Sequence, residues 1–498
     1  MLIATGLSSN PFTAAIVAAA LFGLAWPLMQ RIAVLENSPW LVKILVWSFA
    51  FHLVCAPAQI FVVDHFYHHI ADWTRYNTQG SILAPNFRSL NFTLAGANVR
   101  GIVNDGSVSI AAGLVMALVG SNPLAAFLVF SALAWVGSVF FYRAFVVAFP
   151  GAFAAHRRYA WMLFFMPSMI FWSADIGKEA IMSLSLGVMT FGAAKVLRRR
   201  PGGFTLLTLG MAIGILIRPN EIVVLMGAFA AGLMIRPASR EARAGLKRVG
   251  GLLFMAALLA LSVYLTVHYL FSHGGFSLNK TNANNNGTGA GFGSSGLTYS
   301  GNPLYLWRDF YAVLFDPLPF NAHGSGEYVA ALENSYILFL FYYCRHSLRI
   351  VFRAAFANPF VMLSLVYTIG FAYAFASLGN LGLIARERTM LFPFLLCLLN
   401  IQRTPPGQQP RFDWEYKRKQ RKAFREQMAA GLLPWQQGLP SSPRVASPLV
   451  SATAQSAEKT PASGRFVDLT TPPPRRSDAK GWDEVLRSSG SSPPSTDS

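Results

Sequence analysis

Nine long apolar runs, 12–29, 41–63, 123–142, 159–173, 180–197, 203–217, 221–235, 249–272 and 356–377, alternate with short polar connections. A helix needs about 20 mostly apolar residues to cross a bilayer. Most of these runs reach or approach that length, which predicts an all-α, polytopic transmembrane bundle. Composition agrees. Hydrophobic residues make up 53% of the 498 residues and charged residues 13%, against about 25% charged in soluble domains. Cys55, Cys344 and Cys397 are the three cysteines and lie in apolar runs, so a disulfide scaffold is excluded. The first run has no basic residue before it, and its first charge is Arg31. It reads as a retained span rather than a cleaved signal.

Two further runs, 334–351 and 389–401, are short or interrupted. The segment 107–120 is only moderately apolar and reads as re-entrant or interfacial. Basic clusters stand at Arg157-Arg158, Arg198 to Arg200, Arg236 to Arg248 and Arg345 to Arg353. Each is separated from the next by two spans, so the positive-inside rule puts all of them on the cytoplasmic face. The result is about eleven spans in residues 1–401, with an external amino terminus. Loops 64–122 and 273–333 then face outward. Residues 402–498, basic at first and then Pro/Ser-rich, are expected to be disordered and cytoplasmic. The stretch Lys417-Arg418-Lys419-Gln420-Arg421-Lys422 suits anionic lipid heads. The net charge of +19 is thus assigned to a membrane surface, and no nucleic-acid partner is expected.

Most other ionisable residues fall on the external face, including Arg75, Arg88, Arg100, Asp105, Glu221 and Glu387. Charge at a bilayer is costly and marks function. In the turn Trp172 to Glu179, Ser173 or Asp175 suits an N-cap. Glu179 sits in the first helical turn, and Lys178 with free backbone N–H groups suits an anion. Arg218 precedes Pro219, a helix-start residue, which leaves its guanidinium to fork onto phosphate. Arg386 and Arg388 flank Glu387, and two arginines so spaced suit a diphosphate. The plainer reading of that trio is an interfacial ion pair. Asp72, among Trp73 and Tyr76, is the candidate general base or metal ligand. With His65 and His69 it could hold a divalent metal ion, although interfacial histidines explain the same spacing. No Walker, GxSxG, HExxH or dinucleotide motif is present.

Three motifs resemble bacterial polytopic membrane proteins of surface-polysaccharide synthesis. They are Met166 to Ser173 leading into Gly177-Lys178-Glu179, Leu314 to Phe320 with Leu332-Glu333 following, and Asn380 to Arg388 with Pro393 beyond. The layout is similar to the GT-C class of glycosyltransferases. The paired acidic signature of that class is absent, and a lone Asp stands at 72. The resemblance implies an external active site, a polyprenyl-phosphate-linked sugar donor and a glycan or lipid acceptor. It makes Asp72 the acidic residue of the early loop, with Asp175 as a second catalytic candidate. Lys178, Arg218, Arg386 and Arg388 would bind the donor phosphate, supported by Glu179, Tyr76 and Glu333. Alternatives are a polysaccharide polymerase or ligase, a transporter or flippase of lipid-linked sugars, and a scaffold acting through its tail.

Overall fold

The computed structural model describes residues 10–66, 72–99, 101–236, 306–320, 322, 325–375 and 381–401, and the single positions 260, 264 and 426. Among these every regular element is helical. The run 249–272 lies outside the described residues apart from positions 260 and 264. So does the tail 402–498 apart from Glu426, together with His68, His69 and Arg100.

The chain opens with α1 (Pro11–Glu36) and α2 (Trp40–Phe66). Asn10 caps α1 by accepting from the Phe12 N–H, with Pro11 in the first turn, the arrangement the helix start favours. The pair α3 (Asp72–Arg88) and α4 (Asp105–Val119) follows. The segment 107–120 is therefore helical as far as Val119 and packs against α3. Gly80 faces Ala112, where a Cβ would come within 2.9 Å of the alanine methyl. Arg88 donates to the carbonyls of Met116 (2.8 Å) and Ala117 (3.0 Å) and closes the end of α4.

The centre is α5 (Pro123–Ala148), α8 (Lys178–Leu197) and α9 (Gly203–Ile217). α8 is buried along almost its whole length. Glycines permit the close approach, as small residues do between membrane helices. A Cβ on Gly137 would strike the backbone of Ser183, and one on Gly210 would lie 2.6 Å from the Met189 nitrogen. Between α5 and α8 the run 159–173 is not one helix. α6 (Phe153–Phe164) ends before Pro167, which opens the short α7 (Pro167–Phe171); proline cannot continue the hydrogen-bond ladder.

α10 (Pro219–Ile235), α11 (Leu306–Phe315) and α12 (Ser325–Tyr343) come next. The run 334–351 is broken at Cys344. Beyond it α13 (Arg345–Ala357) is amphipathic, with Ile350, Val351 and Ala355 buried and Arg345, Arg349 and Arg353 exposed. α13 meets α14 (Pro359–Phe375) at a bend of 116°. The chain then forms α15 (Leu381–Glu387), a 3-10 turn (Arg388–Met390) and the short α16 (Phe392–Leu399). Among the described residues, α1, α2, α5 and α8 are long and apolar enough to cross a membrane, and the bent pair α13–α14 makes up to five. α4, α9 and α10 are shorter apolar helices. These lengths and compositions are compatible with a membrane helix bundle.

Candidate functional site

The starts of α3, α8 and α10 and the end of α15 meet at one end of the bundle, and each brings charge. Arg386, on α15, donates from Nη2 to Oε2 of Glu179 (2.7 Å) and from Nη1 to Oδ2 of Asp72 (3.1 Å). Arg218 donates to Oε1 of Glu179 (2.6 Å), to Oε1 of Glu221 (2.8 Å) and to Glu387. Lys178 pairs with Oδ1 of Asp105 (2.6 Å), which also accepts from the Tyr76 hydroxyl (2.9 Å) and pairs with Arg75.

Burial grades this cluster. The Asp72, Arg75 and Asp105 side chains are 56%, 49% and 40% exposed, so they form a wet rim. Lys178 and Arg386 lie beneath, at 17% and 16%. Glu179 and Glu221 are wholly enclosed beside Arg218. Buried charges are tolerated only when paired and hydrogen-bonded. Here each buried guanidinium meets carboxylates from other segments.

The local chain explains the placement. α8 begins at Gly177, which makes no side-chain cap. Neither Ser173 nor Asp175 is the N-cap: the Ser173 hydroxyl instead donates to the Met169 carbonyl at 2.5 Å. A Cβ on Gly177 would collide with Oδ1 of Asp175 and come within 3.0 Å of Oε2 of Glu179. The bare glycine thus lets two carboxyls approach each other.

The electrostatics follow from that crowding. Burial pushes Asp175 up to about 7; Arg386 opposes the rise, and Glu179 and Asp72 add to it. Burial likewise pushes Glu387 up to about 8 against the pull of Arg218. Burial would also raise Asp105, but its hydrogen bonds to Lys178, Arg75 and Tyr76 outweigh that and bring it to about 2. Burial, with the Asp105 and Asp72 carboxylates, raises the Tyr76 phenol, which ties the two halves of the cluster together. Six carboxyls face four cations here. Burial favours the neutral forms of Asp175 and Glu387, which lessens the excess of negative charge.

The structure therefore gathers Asp72, Tyr76, Asp175, Lys178, Glu179, Arg218 and Arg386. Two of the arginines expected at the donor phosphate are enclosed by protein partners. The guanidinium of Arg218 is not left open for a ligand, because the carboxyl groups of Glu179, Glu221 and Glu387 enclose it. Arg388 does not act beside Arg386. It is 1% exposed and pairs with Glu333 (2.9 Å) and Asn334, while Glu333 accepts from the Ser168 N–H (2.8 Å) at the start of α7. One residue separates the two arginines, and their side chains go to different neighbours. Arg388 and Glu333 thus form a separate buried lock between the 3-10 turn, α12 and α7.

The cluster also takes in Arg75, Asp105, Glu221 and Glu387, which the sequence marks only as external charges. Glu221 carried a signal, standing three residues after Arg218 across a helix start. Asp105 opens the apolar run of α4, where the helix dipole favours an acid. In the sequence Glu387 reads as the acid of an interfacial ion pair with its flanking arginines, and its contact with Arg218 is long-range.

For a metal ion the donors fit poorly. Oδ2 of Asp72 is engaged by Arg386, and Nδ1 of His65 lies 2.9 Å from the Phe61 carbonyl of its own helix. Among the described residues no group of three or more His, Cys, Asp or Glu is arranged to hold a metal. The chain matches no protein-family model, no curated protein and no solved structure.

Proposed function

We propose that this chain is a membrane glycosyltransferase of GT-C type. It moves a sugar from a polyprenyl-phosphate-linked donor to a cell-surface glycan or lipid acceptor, on the external face of the plasma membrane, here a bacterial inner membrane. The reading takes about eleven spans and a cytoplasmic tail from residue 402. One observation carries it: Asp72, Lys178, Glu179, Arg218 and Arg386 converge from four chain segments at one end of apolar helices. Cations held at headgroup depth suit a lipid phosphate. A half-exposed carboxylate beside them suits an acceptor hydroxyl.

In this mechanism Asp72 accepts the acceptor hydroxyl's proton as that oxygen bonds to the anomeric carbon. The bond from that carbon to the phosphate oxygen breaks, and the lipid phosphate leaves with the electron pair. Arg75, Lys178 and Arg386 stabilise the charge that develops on it. The phosphate competes with Asp105 for Lys178 and Arg75. Burial favours the neutral form of Asp175, which weakens its competition for Arg386. Glu179, Glu221 and Glu387 hold Arg218, and Glu179 in turn aims Arg386.

The test is in cells. Asp72→Asn, Lys178→Ala and Arg386→Ala, each at wild-type membrane level, are profiled for surface glycans and polyprenyl-linked sugars by mass spectrometry. Loss of a glycan with accumulation of its lipid-linked donor is expected. Unchanged glycans in all three variants and in the full deletion overturn the transferase reading. A polymerase or ligase uses the same donor and differs in giving a ladder of products. A flippase moves the donor without breaking a bond, which vesicle transport detects.

A further inference from the structure

The bend between α13 and α14 lies at the far ends of the central helices from the charged cluster. A Cβ on Gly232, near the end of α10, would lie 2.7 Å from the Pro359 carbonyl oxygen and 3.6 Å from Leu197, the last residue of α8. The ring of Phe360 meets that of Phe149, just past α5, edge-on at 6.3 Å. α8 has 20 residues, which makes it about 30 Å long, close to the hydrocarbon thickness of a bilayer. It starts in the carboxylate–guanidinium cluster and ends beside the bend. With the cluster at one headgroup level, α13 lies at the other. Tyr342 and Tyr343, exposed at the end of α12 just before it, are residues that favour that level.

The bend sets the attitude of α13. α14 carries no charged residue, and Asn358 caps it by accepting from the Phe360 N–H (3.0 Å). With α14 near the membrane normal, the 116° turn lays α13 close to the membrane plane. The two faces of α13 differ. Ile350, Val351 and Ala355 pack inward with Val361, Leu398 and Ile401, and the Ser347 hydroxyl donates to the Ile401 carbonyl (2.8 Å). The outward face carries Arg345, Arg349 and Arg353 beside Phe352 and Phe356, all exposed. Spacings of three and four residues place them on one side of the helix. The segment 345–357 has no acidic residue. Arg345 lies over the Tyr342 ring at 4.6 Å. Among the described residues, Arg349 and Arg353 make no ion pair or hydrogen bond.

We propose that α13 is an in-plane anchor that binds anionic phospholipid headgroups. Arg349 and Arg353 engage the lipid phosphates, for which the planar guanidinium fork is suited. Phe352 and Phe356 enter the first acyl carbons beneath. Exposed cations beside exposed aromatics are what an interfacial helix uses, and an anionic surface supplies the charge that residues 345–357 lack. Three arginines in 13 residues also oppose α13 as half of a crossing, since charge in hydrocarbon is costly. The anchor rests on the bundle standing in a membrane and not on the transferase reading, because it lies at the opposite end of the helices.

The test uses the full-length protein in nanodiscs of phosphatidylglycerol and phosphatidylcholine in equal parts. Benzoylphenylalanine, a photocrosslinker, replaces Phe352, Phe356, His346 or Arg353 in turn, and mass spectrometry identifies what it captures. Positions 352 and 356 are expected to capture lipid, and positions 346 and 353 about five-fold less. No lipid at 352 and 356, or capture of a second copy of the chain in its place, overturns the anchor. Equal capture at all four positions marks a crossing segment and overturns the in-plane placement. The lipid captured at 352 and 356 is expected to favour phosphatidylglycerol by about five-fold. Arg349→Gln combined with Arg353→Gln is expected to abolish that preference. No preference in the otherwise unchanged chain overturns the anionic partner, and a preference that survives the double change overturns the role of the two arginines. The unsubstituted protein gives a second measurement. Amide hydrogen exchange across 345–357 is expected to be about five-fold slower in discs of phosphatidylglycerol than in discs of phosphatidylcholine. Equal exchange overturns the proposal even where a variant folds poorly.

Discussion

The guanidinium of Arg386 donates to the carboxylate of Asp72 across 3.1 Å, although 314 positions of chain separate them. The contact joins the first residue of α3 to the segment before the last helix. It leaves Asp72 half exposed, with a cation on its buried side. A carboxylate so placed is open to a hydroxyl from solvent and is fixed in orientation.

Removing the charge of Asp72 separates chemistry from folding. Exposed ion pairs contribute about 0–1 kcal/mol, so Asp72→Asn is expected to leave thermal unfolding in detergent nearly unchanged. Loss of a general base lowers turnover by about 10²–10⁴-fold. Transfer from a purified lipid-linked donor, measured beside the melting curve, checks both. Full turnover in the variant removes Asp72 from the mechanism.

Arg218 behaves oppositely. It is the shared partner of Glu179, Glu221 and Glu387, and removing one member of a buried ion pair costs about 3–5 kcal/mol. Arg218→Ala is therefore expected to lose folded protein from the membrane, as seen by fluorescence-detected size exclusion. A well-folded variant at wild-type level would show that the three carboxyls repack without it.

Arg388 and Glu333 form a buried pair outside the cluster. Glu333→Gln keeps the shape and removes the charge, so stability is expected to fall. Turnover per folded molecule is expected to stay within about two-fold of wild type, since the groups lie away from the reacting atoms. A specific loss of turnover with normal melting would return Arg388 to the donor site.

Two glycines give a steric contrast. A Cβ at Gly177 would meet the Asp175 and Glu179 carboxyls, whereas one at Gly227 would meet nothing within 4 Å. Gly227→Ala, in the exposed interior of α10, is expected to be neutral or to stabilise by about 0.5–1 kcal/mol. Gly177→Ala is expected to lower both melting temperature and activity. Equal behaviour of the two variants would show that the carboxyls give way freely.

The pH response of stability has a definite sign. Asp175 and Glu387 are carboxyls raised to about 7 and about 8, so the folded state keeps protons that the unfolded chain has released. Their contribution is fully present below the ordinary carboxyl range near 4. It falls as pH rises through the interval to about 8, and it levels off above. Melting temperature is expected to decline over that interval. Asp175→Asn, which cannot ionise, is expected to flatten the decline, and an unchanged slope would place the titration elsewhere. Asp105, held at about 2, works the other way and adds stability as pH rises through its own lower range.

The sequence alone determined the bundle, because burial in lipid is written locally: each span must be apolar over its own length and satisfy its own backbone. The runs 203–217 and 180–197 appear as α9 and α8 almost residue for residue. The sequence reads 159–173 as one run although Pro167 interrupts it, whereas the run 334–351, read as short or interrupted, does break at Cys344. The bend between α13 and α14 falls at Asn358-Pro359, where the amphipathic α13 meets the uniformly apolar α14. Asp72, Lys178 and Arg386 were legible as charges that a bilayer does not tolerate without cause. Their partners were not. Whether Arg218 meets a ligand or Glu387 is a question of contact across 169 positions, and Arg388 parts from Arg386 because a helical turn aims neighbouring side chains apart. Tertiary structure decided those pairings, since the energy of a buried charge depends on which group stands within a few ångströms of it, and no local pattern encodes that.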